Sequence, residues 1–139
     1  MSEDTAQRIV AIGECMVELS DRPDSCRLGF GGDTLNTALY LARLGMPVDY
    51  VKVLGDDPYS DAMVKAWGSE GIGTRFVARA QGRLPGLYAI RTDARGERRF
   101  YYWRDRAAAR ELLSDAHAPN VTRALAQARL VYLSGITVS

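Results

Sequence analysis

Apolar residues recur along this chain with two spacings, one belonging to strands and one to helices. Arg8-Ile9-Val10-Ala11-Ile12-Gly13 is a short β-branched run that stops at glycine, as a strand covered on both faces of a parallel sheet would. Over residues 34–45, Leu35, Ala38, Leu39 and Ala42 share one helical face, with Asp33 or Thr34 placed to cap the start and Gly45 to end it. Val48-Asp49-Tyr50-Val51-Lys52-Val53-Leu54 alternates and predicts another strand, which halts at Gly55-Asp56-Asp57-Pro58. From Pro58 to about Ser69 the set Ala62, Met63, Ala66 and Trp67 keeps helical spacing, and a short extended piece follows at Arg75-Phe76-Val77-Ala78. Such a succession of β-α units predicts a parallel sheet with helices packed on its faces.

The rhythm then breaks. Residues 84–92 and 97–104 are two extended runs joined by Asp93-Ala94-Arg95-Gly96, a polar connection of hairpin length. An antiparallel pair is expected over about 84–104, and insertions of this kind commonly carry function. A helix near 120–128 and a strand at Leu130-Val131-Tyr132-Leu133 restore the β-α order before the chain reaches Ser139.

The bulk numbers narrow the classes. At 139 residues, 47% hydrophobic and 25% charged, the chain has the size and composition of one globular domain. A formal net charge of +1 supplies no field for nucleic acid or an anionic membrane surface, so a small-molecule partner is expected. Met1–Arg8 is polar and carries no signal peptide or spanning segment, which predicts a cytoplasmic address. Cys15 and Cys26 lack metal-ligand spacing and are expected to be reduced, and His117 stands alone in a loop-like stretch as a solvated bystander.

Candidate chemistry lies in two places. Gly31-Gly32-Asp33-Thr34-Leu35-Asn36 runs into the first predicted helix, where two glycines permit close approach of backbone to a ligand at positive or unrestricted φ, and helix-entrance N–H groups face the same space. Asn36, one turn in, offers a donor and an acceptor to a polyhydroxylated molecule. In the second hairpin strand Phe100, Tyr102 and Arg104 share one face while Tyr101 and Trp103 share the other. An aromatic ring beside a guanidinium can cover a sugar ring and grip a carboxylate; the alternative is aromatic packing beside a solvated arginine edge. Tyr88 on the partner strand reaches the same ligand only if the register allows, and otherwise is a cross-strand packing residue. No Walker A sequence is present, and Thr34 occupies the place of the third glycine of a dinucleotide fingerprint.

These residues carry a resemblance. Gly31-Gly32-Asp33-Thr34-Leu35-Asn36-Thr37-Ala38, followed by Gly45 and Gly55, resembles the amino-terminal signature of the ribokinase-like sugar kinases, the family also named for the minor phosphofructokinase (PfkB). Within that family, the tracts Gly13–Ser20, Leu84–Tyr88 and Gly96–Arg104 look like those of the 2-keto-3-deoxygluconate kinase branch, and the resemblance runs from about residue 8 to the last residue. It implies a doubly wound, mostly parallel α/β sheet, incomplete here, with a small antiparallel β lid. It also implies ATP-dependent phosphorylation of the sugar acid at its terminal hydroxyl. Gly31, Gly32, Asp33 and Asn36 would approach the sugar-acid hydroxyls, Tyr88 and Tyr102 would reach in from the lid, and Arg104 would engage the polar end. ATP and Mg2+ are implied as cofactors, held by a carboxy-terminal signature of the form Asp-Thr-x-Gly-Ala-Gly-Asp that these residues do not contain. The chain is therefore expected to carry the sugar side of a kinase, to be inactive alone, and to have no catalytic base among Asp33, Asp56, Asp57 or Asp61. Another sugar kinase of ribokinase or fructokinase type, or a non-catalytic sugar-acid binding fragment, are the alternatives. A homo-oligomer formed through the lid is a further expectation for the complete enzyme.

Overall fold

The computed structural model describes residues 8–138; the polar stretch Met1–Gln7 and Ser139 lie outside the described residues, as does the expectation about a targeting segment. In chain order the elements are β1 (Arg8–Ile12), β2 (Met16–Arg22), β3 (Ser25–Gly31), α1 (Asp33–Arg43), β4 (Val48–Leu54), α2 (Pro58–Ser69), β5 (Val77–Arg79), β6 (Leu87–Thr92), β7 (Arg98–Trp103), α3 (Ala118–Ala126) and β8 (Ala128–Leu133). They form two four-stranded sheets, one ordered β5-β4-β1-β8 and the other β3-β2-β6-β7.

The first sheet is parallel throughout, with Ile9 opposite Val48 on one side of β1 and Leu130 on the other. Alternation along the pleat sends Ile9, Ala11, Val48, Tyr50 and Leu54 against Leu35 and Ala38 of α1 and Met63 and Trp67 of α2. Val10, Ile12 and Val51 face the other way, against Phe76 and Val121 and Ala124 of α3. Both faces of β1 and β4 are thus covered, which is why β1 reads as an unbroken apolar run and why every residue of β4 is buried. Burial of each large side chain is worth about 1.5–3 kcal/mol.

Two charged residues enter that core. Asp49 is paired on β4 with Arg8 and Arg75, whose Nε atoms donate to its Oδ2 at 2.9 and 3.0 Å. Lys52 is buried with no hydrogen-bond partner for Nζ among the described residues. Burial pushes its ammonium from an ordinary 10.5 down to about 8, against the opposing attraction of Cys15 and Glu14. The folded protein therefore binds fewer protons than the unfolded chain between those values. The penalty is complete below pH 8 and lifts as the pH climbs towards 10.5. Lys52→Met is expected to stabilise the fold by on the order of 2 kcal/mol at pH 7. In paired urea titrations that gain should shrink steadily above pH 8; an advantage independent of pH would show that packing, not charge, is responsible.

The helices begin and end for local reasons. Asp57 caps α2: its Oδ1 accepts from the amides of Tyr59 and Ser60 at 3.0 Å, and its Oδ2 accepts from the Ser60 hydroxyl at 2.6 Å. α1 differs from expectation, since its N-cap is Gly32 and no side chain caps it. Asp33 instead folds back to accept from the adjacent Thr34 amide at 2.6 Å, so neither Asp33 nor Thr34 closes the helix entrance. Gly45, at φ +80°, ends the helix as its position predicts.

The second sheet is the lid, and it is larger than the hairpin expected at 84–104. β6 and β7 pair antiparallel as anticipated, but β6 also pairs in parallel with β2, and β2 with β3 in a second hairpin. The segment Gly29-Phe30-Gly31, just before the first helix, is the end of a strand. Strands β2 and β3 escape a hydrophobicity-based reading because much of their length is solvated. Ser20, Asp21, Arg22, Ser25 and Arg27 interrupt the alternation, and Ser25–Leu28 are exposed.

Candidate functional site

In the parallel sheet the chain moves from β1 to β4 and β5 on one side, then returns to place β8 on the other. The order reverses at β1, and open α/β sheets offer a crevice at the carboxyl ends of strands where this happens. Here that end is Gly13-Glu14-Cys15. A β-carbon on Gly13 would overlap Thr34, whose hydroxyl bonds the Tyr50 hydroxyl at 2.9 Å inside the core. One on Gly32 would run into the Glu14 carbonyl oxygen and lie 3.2 Å from the Cys15 Cα. The first turn of α1 is thereby clamped to the end of β1, and it holds Asp33 and Asn36 out at the rim.

The reason for the two glycines is accordingly different from the one expected. Neither Gly31 nor Gly32 is among the positive-φ glycines, and Gly32, at φ 171°, is extended backbone that any residue adopts. What they provide is room for protein atoms. Gly32 admits the Glu14 carbonyl, and Gly31 admits the Tyr88 hydroxyl.

The lid supplies the opposite wall. Its register sets Tyr88 directly across from Tyr102. Their rings lie 6.0 Å apart, and Phe100 stacks at 6.4 Å from Tyr102 with 15° between planes. The Arg104 guanidinium sits 5.4 Å over the Tyr102 ring, with Nη1 3.8 Å from Glu14 Oε2. Between the walls is a cleft of about 270 Å³ that brings together Gly32, Asp33, Asn36, Tyr88, Tyr102 and Arg104. Gly31 does not line it, standing instead behind Tyr88. Glu14, Met16 and Ile136 also line it and were not anticipated. For Glu14 a signal existed, because it follows the glycine that ends a doubly covered parallel strand.

A neighbouring cleft of about 420 Å³ shares Glu14, Arg104 and Ile136 and adds Arg110. On the outer face of the lid a more apolar groove of about 570 Å³ runs between Tyr59 and Leu19, Leu28, Leu87 and Trp103. Arg104 borders all three.

Titration behaviour marks which groups keep their protons. Burial, then the hydrogen bond and charge of Glu18, hold the Tyr88 phenol well above its usual range. Burial pushes the Cys15 thiol up to about 12, which makes it an inert packing residue. Cys26 is a free thiol on exposed β3, and His117 lies 3.8 Å from Glu111, outside the cleft. Asp56, Asp57 and Asp61 are engaged in structure. Asp57 caps a helix, Asp56 accepts from the Gly82 amide at 3.1 Å, and Asp61 pairs with Arg79 at 2.9 Å. Among the described residues no group of three or more His, Cys, Asp or Glu side chains is placed to hold a metal ion. No helix among them is long and apolar enough to cross a membrane.

Comparison with known sequences places this arrangement in a class. Residues 6–139 match the model of the pfkB family carbohydrate kinases, and the chain belongs to that family. Within it, the chain is 48% identical over 139 residues to 2-dehydro-3-deoxygluconokinase of Dickeya dadantii (strain 3937), covering 97% of this chain and 45% of that protein. It is 45% identical to the protein of the same name from Escherichia coli (strain K12), over 96% of this chain and 45% of the relative. The chain thus spans under half the length of these curated relatives. In structure it resembles 2-dehydro-3-deoxygluconokinase from Thermotoga maritima with a TM-score of 0.80 at 28% identity, over 94% of this chain and 41% of that one. It resembles ATP-bound fructokinase from Xylella fastidiosa with a TM-score of 0.69 at 26% identity, over 75% of this chain and 35% of that one.

Proposed function

We propose that the cleft between α1 and the lid is the sugar-acid half of an ATP-dependent kinase that phosphorylates 2-keto-3-deoxygluconate at its terminal hydroxyl. The convergence of Asp33 and Asn36 with Tyr88, Tyr102 and Arg104 on one cleft is the observation that carries this reading. A planar, permanently charged guanidinium held over an aromatic ring suits a carboxylate, and the rim of α1 suits hydroxyls. The names of the relatives point to the same substrate class.

Phosphoryl transfer asks a protein mainly for positioning and charge stabilisation. In this reading Arg104 fixes the acid end, and Asp33, Asn36 and the lid tyrosines hold the hydroxylated stem. The reactive hydroxyl is thereby aimed away from the lid. ATP with Mg2+ would supply the phosphoryl group. Among the described residues no group of three or more His, Cys, Asp or Glu side chains is placed to hold a metal ion, and the Thr34 amide at the entrance of α1 is taken by Asp33. We therefore assign the nucleotide side and the general base to the part of the family length that this chain does not span. The outer lid face, where Leu28 and Trp103 are exposed, supports a contact with a second copy in an enzyme of full family length.

The test is substrate choice in a kinase of full family length that carries these residues. ATP-dependent turnover of 2-keto-3-deoxygluconate is expected to exceed that of fructose or ribose by about a hundredfold in kcat/KM. Equal use of a neutral sugar would overturn the assignment. Turnover by the 139-residue chain alone would overturn the placement of the nucleotide side.

A further inference from the structure

We propose that Glu18 decides what the Tyr88 hydroxyl can recognise. By accepting the phenol proton it leaves Tyr88 Oη only lone pairs for a ligand, so that this point of the site selects a substrate hydroxyl rather than a carboxylate or carbonyl oxygen. The proposal rests on the sugar-site reading above and adds a specificity-determining residue behind the cleft wall.

Three strands build the unit. The parallel register of β2 and β6 sets Glu18 beside Tyr88 on one face of the lid. The Tyr88 hydroxyl donates to Glu18 Oε2. Gly31, at the end of β3, leaves the space in which they meet, since a β-carbon there would collide with Tyr88 Oη and lie 3.0 Å from Glu18 Oε2. Glu18 does not itself line the cleft, whereas Tyr88 does.

The consequence follows from the inventory of donors. A phenol has one proton and can both give and accept, but a carboxylate only accepts, so the proton between them is committed to Glu18. Burial and the adjacent Glu18 charge keep that phenol protonated through the working pH range. Towards the ligand Tyr88 therefore offers lone pairs alone. Arg104, beyond Tyr102 on the neighbouring strand, offers donors alone. Two points on one wall thus read the substrate with opposite chemistry, which orients an acid-bearing polyol end to end.

Monodeoxy analogues of 2-keto-3-deoxygluconate, each lacking one inner hydroxyl, test the idea in a kinase of full family length. The parent enzyme is expected to lose about tenfold or more in kcat/KM on one analogue. Glu18→Ala should reduce that discrimination to within about twofold. Glu18→Gln, whose side-chain carbonyl still accepts the phenol proton, should retain it. Tyr88→Phe should abolish it and make Glu18→Ala silent in the same background. If Glu18→Ala does not fold, Glu18→Met fills similar volume without an acceptor and carries the same expectation. Loss of activity by one common factor on parent and analogues, or discrimination that survives Tyr88→Phe, would overturn the proposal. Failure to phosphorylate any sugar acid would sink the functional reading instead, and the same variants with monodeoxy forms of the accepted sugar would still decide the role of Glu18.

Discussion

Arg104→Ala, made in a kinase of full family length, is expected to raise KM for the sugar acid about a hundredfold while KM for ATP stays within about twofold. A bidentate charge-assisted pair contributes roughly 2–3 kcal/mol when its geometry is held, and every 1.4 kcal/mol is a factor of ten. Arg104 is held by Tyr102 under its guanidinium and by the Glu14 carboxylate at its flank, so the side chain is preorganised. Its pairing with Glu14 is long at 3.8 Å and leaves donors free for a ligand. Arg104→Lys keeps the charge but not the fork and should recover only part of the loss. Steady-state kinetics with each substrate varied in turn will separate the outcomes. A matching rise in KM for ATP would mean that the lid had collapsed.

Gly32→Ala should destabilise the fold by about 3 kcal/mol or more, read as a lowered urea midpoint, whereas Gly31→Ala should cost clearly less. The difference lies in what each new β-carbon meets. At Gly32 the obstacles are the Glu14 carbonyl and the Cys15 Cα, backbone atoms that move only if β1 and α1 separate. At Gly31 they are the ends of the Tyr88 and Glu18 side chains, which can swing aside. Gly31→Ala is thus expected to disturb recognition more than stability. Equal losses from the two substitutions would show that the clamp between α1 and the β1 end is looser than the geometry indicates.

The sequence disclosed the centre of the parallel sheet well because burial of β1 and β4 on both faces forces a strand to announce itself. β4 and α2 fall at the expected residues, and Tyr102 and Arg104 share a face because alternation is a property of any strand. It disclosed the lid poorly. β2 and β3 carry solvated polar residues, so the only local clue was the Pro23-Asp24 turn between them. The candidate cleft is legible in its residue types and illegible in its reasons. As a sequence Gly31 and Gly32 suggest backbone freedom, yet they are small because Tyr88 and Glu14 need the space. Pairing of Tyr88 with Tyr102, and of Glu18 with Tyr88, depends on register, which no local pattern contained.

The five-residue connection Asp93–Glu97 acts as a ruler. The Asp93 carboxylate accepts from the amides of Arg95 and Glu97, and the Gly96 amide returns to the Asp93 carbonyl, so the count between β6 and β7 is locked at the turn. Because side chains alternate, one residue added there would rotate Tyr102 and Arg104 outward and bring Tyr101 and Trp103 in. A wall able to hold an acid would become a wall of bare aromatic rings. The chemistry of this pocket is therefore encoded partly as a length: the turn that Asp93 and Gly96 write also decides which side chains of β7 face the cleft.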